Sequence, residues 1–340
     1  MVASVLAMLV GPAVARDQIR VVGSPVVAPF TTVVGDAFSK ATGMKAPVVE
    51  ETTTGSGMQM FCAGIGENFP DFVNASRRMK KAEFEDCAKN GVTEIVEIKV
   101  GFDGITLATT KDAKDFGLSN RYIFMALAKN VPDQDGNLVA NPYKMWNEID
   151  PALPAMSIKV LGPISSRGTY ESFLKLMIEN GARTFHGIAE FENTDPAAFE
   201  AIWRTIREDG VYVRDAKIDT TGVAKLQADP ELVGILSYKD LHKNKTTLKG
   251  IPIDDIAVTF DTIADGSYRG SRPLYLYAKK QHVGVVPGIK EFIDEYVSDN
   301  AAGSRSYLAN VGLVSLPSRQ MTKVRAIAAE MEVLKGRYLD

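Results

Sequence analysis

Residues 163–173, Pro163-Ile164-Ser165-Ser166-Arg167-Gly168-Thr169-Tyr170-Glu171-Ser172-Phe173, gather hydroxyls, a guanidinium and a glycine between two apolar segments. Residues 157–162 read as a strand, and Phe173, Leu174, Leu176, Met177 and Ile178 read as the buried side of a helix. The first N–H groups of a helix lack intrahelical acceptors and carry partial positive charge, so such a join can cradle an anion. Gly168 lets the backbone approach a ligand closely, and Arg167 offers a planar fork for an oxyanion. The plain alternative is a set of capping hydroxyls beside a solvent-facing arginine, and one join does not decide between them. Three further joins of the same kind shift the balance. Ser24 follows the apolar run QIRVVG, Thr53-Thr54-Gly55-Ser56-Gly57 follows residues 47–52, and Ser76-Arg77-Arg78 follows residues 71–75.

The elements that position these joins alternate strand with helix. After the first strand, Phe30, Val33, Val34, Ala37, Phe38 and Ala41 recur at helical spacing, and Gly43 is placed to end the helix. A helix with Met58, Phe61 and Cys62 follows the second strand; one over residues 80–89, stopped by Asn90-Gly91, follows the third. Strands that alternate with helices form a parallel sheet, and ligands bind outside the carboxyl ends of such strands. Residues 93–100 and 104–109 read as two strands separated by Gly101-Phe102-Asp103, a crossing into a second lobe. Residues 261–279 read as a loop and an alternating strand that returns. A helix runs from Pro196 through Trp203 and Ile206 to a stop at Gly210; strands are expected at 233–236 and 253–259, and helices at 287–297 and 317–334. There is no internal repeat.

With 340 residues and 45% hydrophobic content the chain can bury a large core and divide into two lobes. A net charge of −3 with interspersed signs gives no basic face for nucleic acid or an acidic membrane. Residues 2–15 are an apolar run ending in Ala13-Val14-Ala15, which fits a secretory signal cleaved after Ala15. No lysine or arginine precedes that run, which points to a start codon further upstream. In the oxidising compartment this implies, the isolated pair Cys62 and Cys87 is expected to form a disulfide. His186, His242 and His282 are far apart and read as surface residues, so no metal site is expected. No nucleophile elbow, HExxH, Walker loop or GxGxxG after the first strand is present, so no catalytic residues are assigned and the chain reads as a non-enzyme without a cofactor.

With these joins in view, the chain resembles the periplasmic phosphate-binding proteins of ABC importers. The resemblance is carried by Val22-Gly23-Ser24 with Pro29-Phe30, Thr54-Gly55-Ser56-Gly57 with Phe61-Cys62-Ala63-Gly64, and Asn74-Ala75-Ser76-Arg77. It continues through Asn141-Pro142-Tyr143-Lys144-Met145-Trp146, Arg167-Gly168-Thr169, Gly266-Ser267-Tyr268, Ser271-Arg272-Pro273-Leu274-Tyr275, Tyr307-Leu308-Ala309 and Gly312-Leu313-Val314-Ser315-Leu316-Pro317. It implies an α/β, two-lobe type II periplasmic binding protein with two hinge crossings: lobe 1 from residues 16–101 plus 262–340, lobe 2 from 102–261. It also implies a monomer that captures phosphate or a related oxyanion and delivers it to an ABC permease in the inner membrane. The ligand set carried over is Ser24, Thr54, Gly55, Ser56, Gly57, Ser76, Arg77, Gly168 and Thr169, with Arg167 added from its place in the join.

Three positions depart from the family pattern. The first loop reads Gly23-Ser24-Pro25-Val26 where the family has Gly-Ser-Ser-Thr, so two hydroxyl donors become proline and valine. Arg167 stands where the family has serine, and Arg77 where some relatives have an aspartate that accepts the proton of monohydrogen phosphate. The alternatives are a ligand sensor for a membrane receptor, a binder of an organic phosphate, phosphonate or sulfonate, and, more distantly, a secreted phosphoester hydrolase.

Overall fold

The computed structural model describes residues 16–165, 168–303 and 306–339; the expected signal segment, residues 1–15, lies outside them. In chain order the strands are β1 (Arg20–Gly23), β2 (Val48–Glu51), β3 (Phe72–Ala75), β4 (Ile95–Thr110), β5 (Asn130–Pro132), β6 (Leu138–Ala140), β7 (Lys159–Pro163), β8 (Tyr212–Asp215), β9 (Leu232–Ser237), β10 (Leu248–Gly250) and β11 (Ser271–Lys279). Nine of these form one sheet in the order β2-β1-β3-β11-β4-β9-β7-β8, with β10 beside β4. Towards one end β1 lies between β2 and β3, all parallel. Towards the other, β7 lies between β8 and β9, again parallel. Parallel neighbours need crossover connections, and helices Ala28–Thr42 and Thr54–Phe61 supply them around β1. In each group the middle strand comes first in the chain, so its successors lie on opposite sides. Its carboxyl end is a switch point where a crevice opens.

β4 and β11 join the two groups as antiparallel partners. The two strands expected over residues 93–109 are one strand of 16 residues. Its first part pairs with β11 as far as Gly104, residues 105–108 pair with β9, and its end pairs with β10. The Gly101 signal marks a bulge, not a break: the register slips between Leu274, opposite Gly101, and Tyr275, opposite Lys99. The expected loop at 261–266 holds the short helix Phe260–Ala264, and the chain returns on β11. Residues 253–259 are not a strand. Asp254 and Asp255 take φ of 50° and 60°, and Ile253 pairs back onto Ile256. The helix expected to reach Ile206 ends at Arg204, where Thr205 turns extended.

The expected helix Ala28–Thr42 buries Phe30, Val34 and Phe38, and Gly43 caps it at φ 74°. Phe38 and Phe72 both pack edge-on against Phe292, at 5.7 and 5.2 Å between ring centres. Cys62 and Cys87 are bonded, tying the end of helix Thr54–Phe61 to helix Lys81–Lys89 across 25 residues. Closing a loop of that size stabilises the fold by about 3 kcal/mol.

His282 is not a surface residue. It is buried, its Nε2 accepts the Gly66 N–H at 3.0 Å, and its Nδ1 therefore donates to Asp71 Oδ1 at 2.7 Å. The same Asp71 oxygen takes Arg16 Nη2 at 2.5 Å, and Oδ2 takes the Arg20 N–H at 2.7 Å. Beside this cluster Lys279 is fully buried, donating to the Gly64 carbonyl at 2.7 Å with its ammonium over the Phe61 and Phe69 rings. Burial pushes its pKa down to about 7, against the pull of Asp71.

The unfolded chain keeps the Lys279 proton up to a pKa of ~10.4, so between about pH 7 and 10 the unfolded state binds more protons and stability rises with pH. Lys279→Met should remove this rise. Urea unfolding of both proteins at roughly pH 6, 8 and 10 measures it, and the expected difference in slope amounts to a few kcal/mol over the window.

Candidate functional site

The carboxyl ends of β1, β2, β3 and β7 open onto one cleft of about 780 Å³. Ser24, Pro25 and Val26 line it after β1, Thr53, Thr54 and Gly55 after β2, and Ser76, Arg77 and Arg78 after β3. The facing wall carries Ser165, Gly168, Glu171, Ser172, Lys175, Leu176 and Arg204, and β11 contributes Ser271, Arg272 and Pro273. Of the sequence-predicted residues, Ser24, Thr54, Gly55, Ser76, Arg77 and Gly168 are thus brought together. Ser56, Gly57 and Thr169 are not part of the wall, and Arg167 lies outside the described residues.

Two glycines bring the first two joins together. Gly23 has φ 118°, and a Cβ there would stand 2.3 Å from the Asn74 carbonyl oxygen. A Cβ on Gly57 would stand 2.6 Å from the Gly23 Cα, so the helix start lies directly on the end of β1. Gly57 is thus the residue on which this close packing depends.

Around Ser24 the donors are already committed. Its N–H goes to the Asn74 carbonyl at 2.9 Å, the Val26 N–H to the Ser24 hydroxyl at 3.3 Å, and the Val27 N–H to the Ser24 carbonyl at 3.1 Å. Pro25 has no N–H, which leaves the Ser24 hydroxyl proton to face a ligand. In the second join, Thr53 caps the helix by accepting the Ser56 N–H at 3.0 Å, and the Gly57 N–H returns to the Thr53 carbonyl at 2.9 Å. The Thr54 and Gly55 N–H groups at this helix start have no partner among the described residues. Thr54 Oγ1 accepts the Ser76 N–H at 3.1 Å and lies 3.2 Å from the Ser76 hydroxyl, binding the second and third joins together.

Among the described residues five cations line the cleft, and each is paired with a carboxylate. Arg77 grips Glu83 with two bonds of 2.9 and 2.6 Å, and Arg78 takes Glu97. Burial pushes the Glu83 carboxyl up, but Arg77 and the Lys80 N–H outweigh it and hold its pKa below the ordinary value. Lys175 pairs with Glu179, and Arg204 with Glu171 and Glu200. The fifth, Arg272, directs Nε and Nη2 at Asp103 Oδ2, 3.3 and 2.8 Å away, while Asp103 Oδ1 takes the Gly104 N–H at 2.9 Å. Arg272 alone of the five is buried, and its Nη1 has no partner among the described residues. Sequence reasoning missed this pair as a site feature, because Arg272 and Asp103 meet only through the β4–β11 register. The cleft therefore combines unpaired N–H groups, hydroxyls and one buried fork in charge-balanced surroundings, a constellation that binds a small anion by directed donors.

A profile of the PBP superfamily domain matches residues 11–300. The chain belongs to the PBP superfamily. Within this superfamily it is 25% identical over 313 residues to the phosphate-binding protein PstS of Staphylococcus saprophyticus, covering 91% of this chain and 83% of that one. It is 23% identical to the protein SphX of Synechococcus elongatus, covering 90% and 80%. Among solved structures, a possible phosphate binding protein from Planctomyces limnophilus superposes with a TM-score of 0.67 at 21% identity, covering 92% of this chain and 98% of that one. An ABC-type phosphate transport receptor from Vibrio cholerae gives 0.61 at 17%, covering 88% and 100%. The two parallel groups linked by β4 and β11 are the two-lobe α/β architecture expected from the sequence.

Gly57→Ala should push the helix start off β1 and destabilise the protein by about 1–3 kcal/mol through overpacking. Gly55→Ala, whose new methyl would meet only the Thr53 hydroxyl at 3.9 Å, should be nearly neutral. Thermal unfolding of the two variants beside wild type reads the contrast.

Proposed function

We propose that this protein is an extracytoplasmic solute-binding protein that captures phosphate or a related tetrahedral oxyanion in the interlobe cleft and delivers it to an ABC importer. The observation that carries this is the convergence of four donor-bearing strand ends on one cleft with the buried Arg272 fork. The names of the similar curated proteins, phosphate-binding protein PstS and SphX, agree with it. The disulfide suits an oxidising compartment, and among the described residues no helix is long and apolar enough to cross a membrane.

On this reading the anion sheds water and receives the N–H groups of Thr54 and Gly55, the hydroxyls of Ser24 and Ser76, the Gly168 turn of the second lobe, and Arg272 Nη1. Each is a fixed donor, so little reorganisation opposes binding. The lobes are assigned as residues 16–101 plus 262–340 and 102–261, with β4 and β11 as the two crossings. An anion held from both sides then draws the lobes together about these strands. The partners are one anion and an inner-membrane permease; the protein acts as a monomer and does not engage nucleic acid. It acts by binding, not catalysis: the Ser172 and Ser271 hydroxyls donate to backbone carbonyls, and no histidine is among the described residues lining the cleft.

Isothermal titration with phosphate, arsenate and sulfate tests the proposal. Wild type should bind at least one of them, and Arg272→Met should lose about 2–4 kcal/mol of affinity. Arg272→Lys, which keeps Asp103 paired but loses the fork, should lie between. No heat from wild type with any tetrahedral anion would overturn it.

A further inference from the structure

We infer that the preferred ligand is a singly substituted phosphoryl anion, a phosphate monoester or a phosphonate, whose substituent lies against Pro25 and Val26. This rests on the oxyanion-receptor reading and narrows it.

The first argument is size. A cleft of about 780 Å³ falls within the ~300–1,000 Å³ that holds organic ligands. A tetrahedral ion of about five heavy atoms fills only a few times a water's share of ~30 Å³. The volume is not simply that of a gap between lobes swung apart. A Cβ built on Gly168 would stand 2.7 Å from Val26 Cγ2 and 3.7 Å from Pro25 Cγ, so Val26 already touches the facing wall.

Donor placement is the second argument. On the β1 side the backbone N–H groups of Ser24, Val26 and Val27 are bonded within the protein and Pro25 has none, so beside the Pro25 ring and the Val26 isopropyl group the Ser24 hydroxyl is the one donor left. An oxygen of an unsubstituted anion facing those carbons would give up water without gaining a hydrogen bond. A substituted anion turns its carbon or ester side there and directs its three terminal oxygens at Ser24, Thr54, Gly55, Ser76 and Arg272. Chemistry on the facing wall is the third. Leu176 extends the apolar surface, while the Glu171–Arg204 and Lys175–Glu179 pairs offer acceptors and donors to a short hydroxylated substituent.

The test is isothermal titration of the mature protein with inorganic phosphate, methylphosphonate and glycerol 3-phosphate, on wild type and on Val26→Thr. Wild type should bind glycerol 3-phosphate or methylphosphonate about tenfold tighter than inorganic phosphate, and the better of the two distinguishes ester from phosphonate. Val26→Thr keeps the side-chain shape and adds a hydroxyl, so it should raise affinity for inorganic phosphate and narrow the ratio. Inorganic phosphate bound as tightly as both substituted anions, or a ratio untouched in Val26→Thr, would overturn the inference and leave the oxyanion-receptor reading standing. Silence with every tetrahedral anion would overturn both.

Discussion

Arg272 and Asp103 face each other across β11 and β4, next to where the sheet passes from one parallel group to the other. One register step further, Gly104 is opposite Ser271, and from Ile105 onward β4 pairs with β9 instead. Removing two charges from water is unfavourable unless their geometry is good, and such pairs are weak evidence of stability alone. Here the pair fixes the guanidinium at the base of the cleft with one nitrogen turned away from its carboxylate. The other walls are arranged around that point: three loops from the carboxyl ends of β1, β2 and β3, and the helix start after β7.

A net charge of −3 would be a poor attraction for anions if bulk charge were the means. Every cation among the described residues lining the cleft has a carboxylate partner, so these residues act on an anion as oriented donors at short range. Its selectivity then depends on which donors remain unbonded and which surfaces are carbon. Gly23 and Gly57 make this possible by removing two side chains where a helix start must lie on a strand end. Thr53 and Thr54 then divide the work, one capping the helix and the other fastening the third join.

The joins were legible in the sequence because they are local. Each is a few residues of Ser, Thr, Gly or Arg directly after an apolar strand, and Gly43 and Gly91 follow the helix ends as expected. What escaped was everything that depends on distant partners. His282 follows Lys279-Lys280-Gln281 and reads as surface, yet Asp71, 211 positions away, receives it in the core. Gly101 signals an irregular backbone correctly, but whether it breaks a strand or bulges it depends on β11 opposite. Arg77 does line the cleft, but its pairing with Glu83, six residues later at the next helix start, was not legible in the sequence.

On the proposed reading this cleft holds a tetrahedral oxyanion through Arg272 and the unpaired N–H groups. Native mass spectrometry of the protein purified without added phosphate is the direct measurement. One bound anion of phosphoryl mass per chain is expected, retained by wild type and lost from Arg272→Met. A chain that carries no anion and takes up none on addition of phosphate or a phosphate monoester would contradict it.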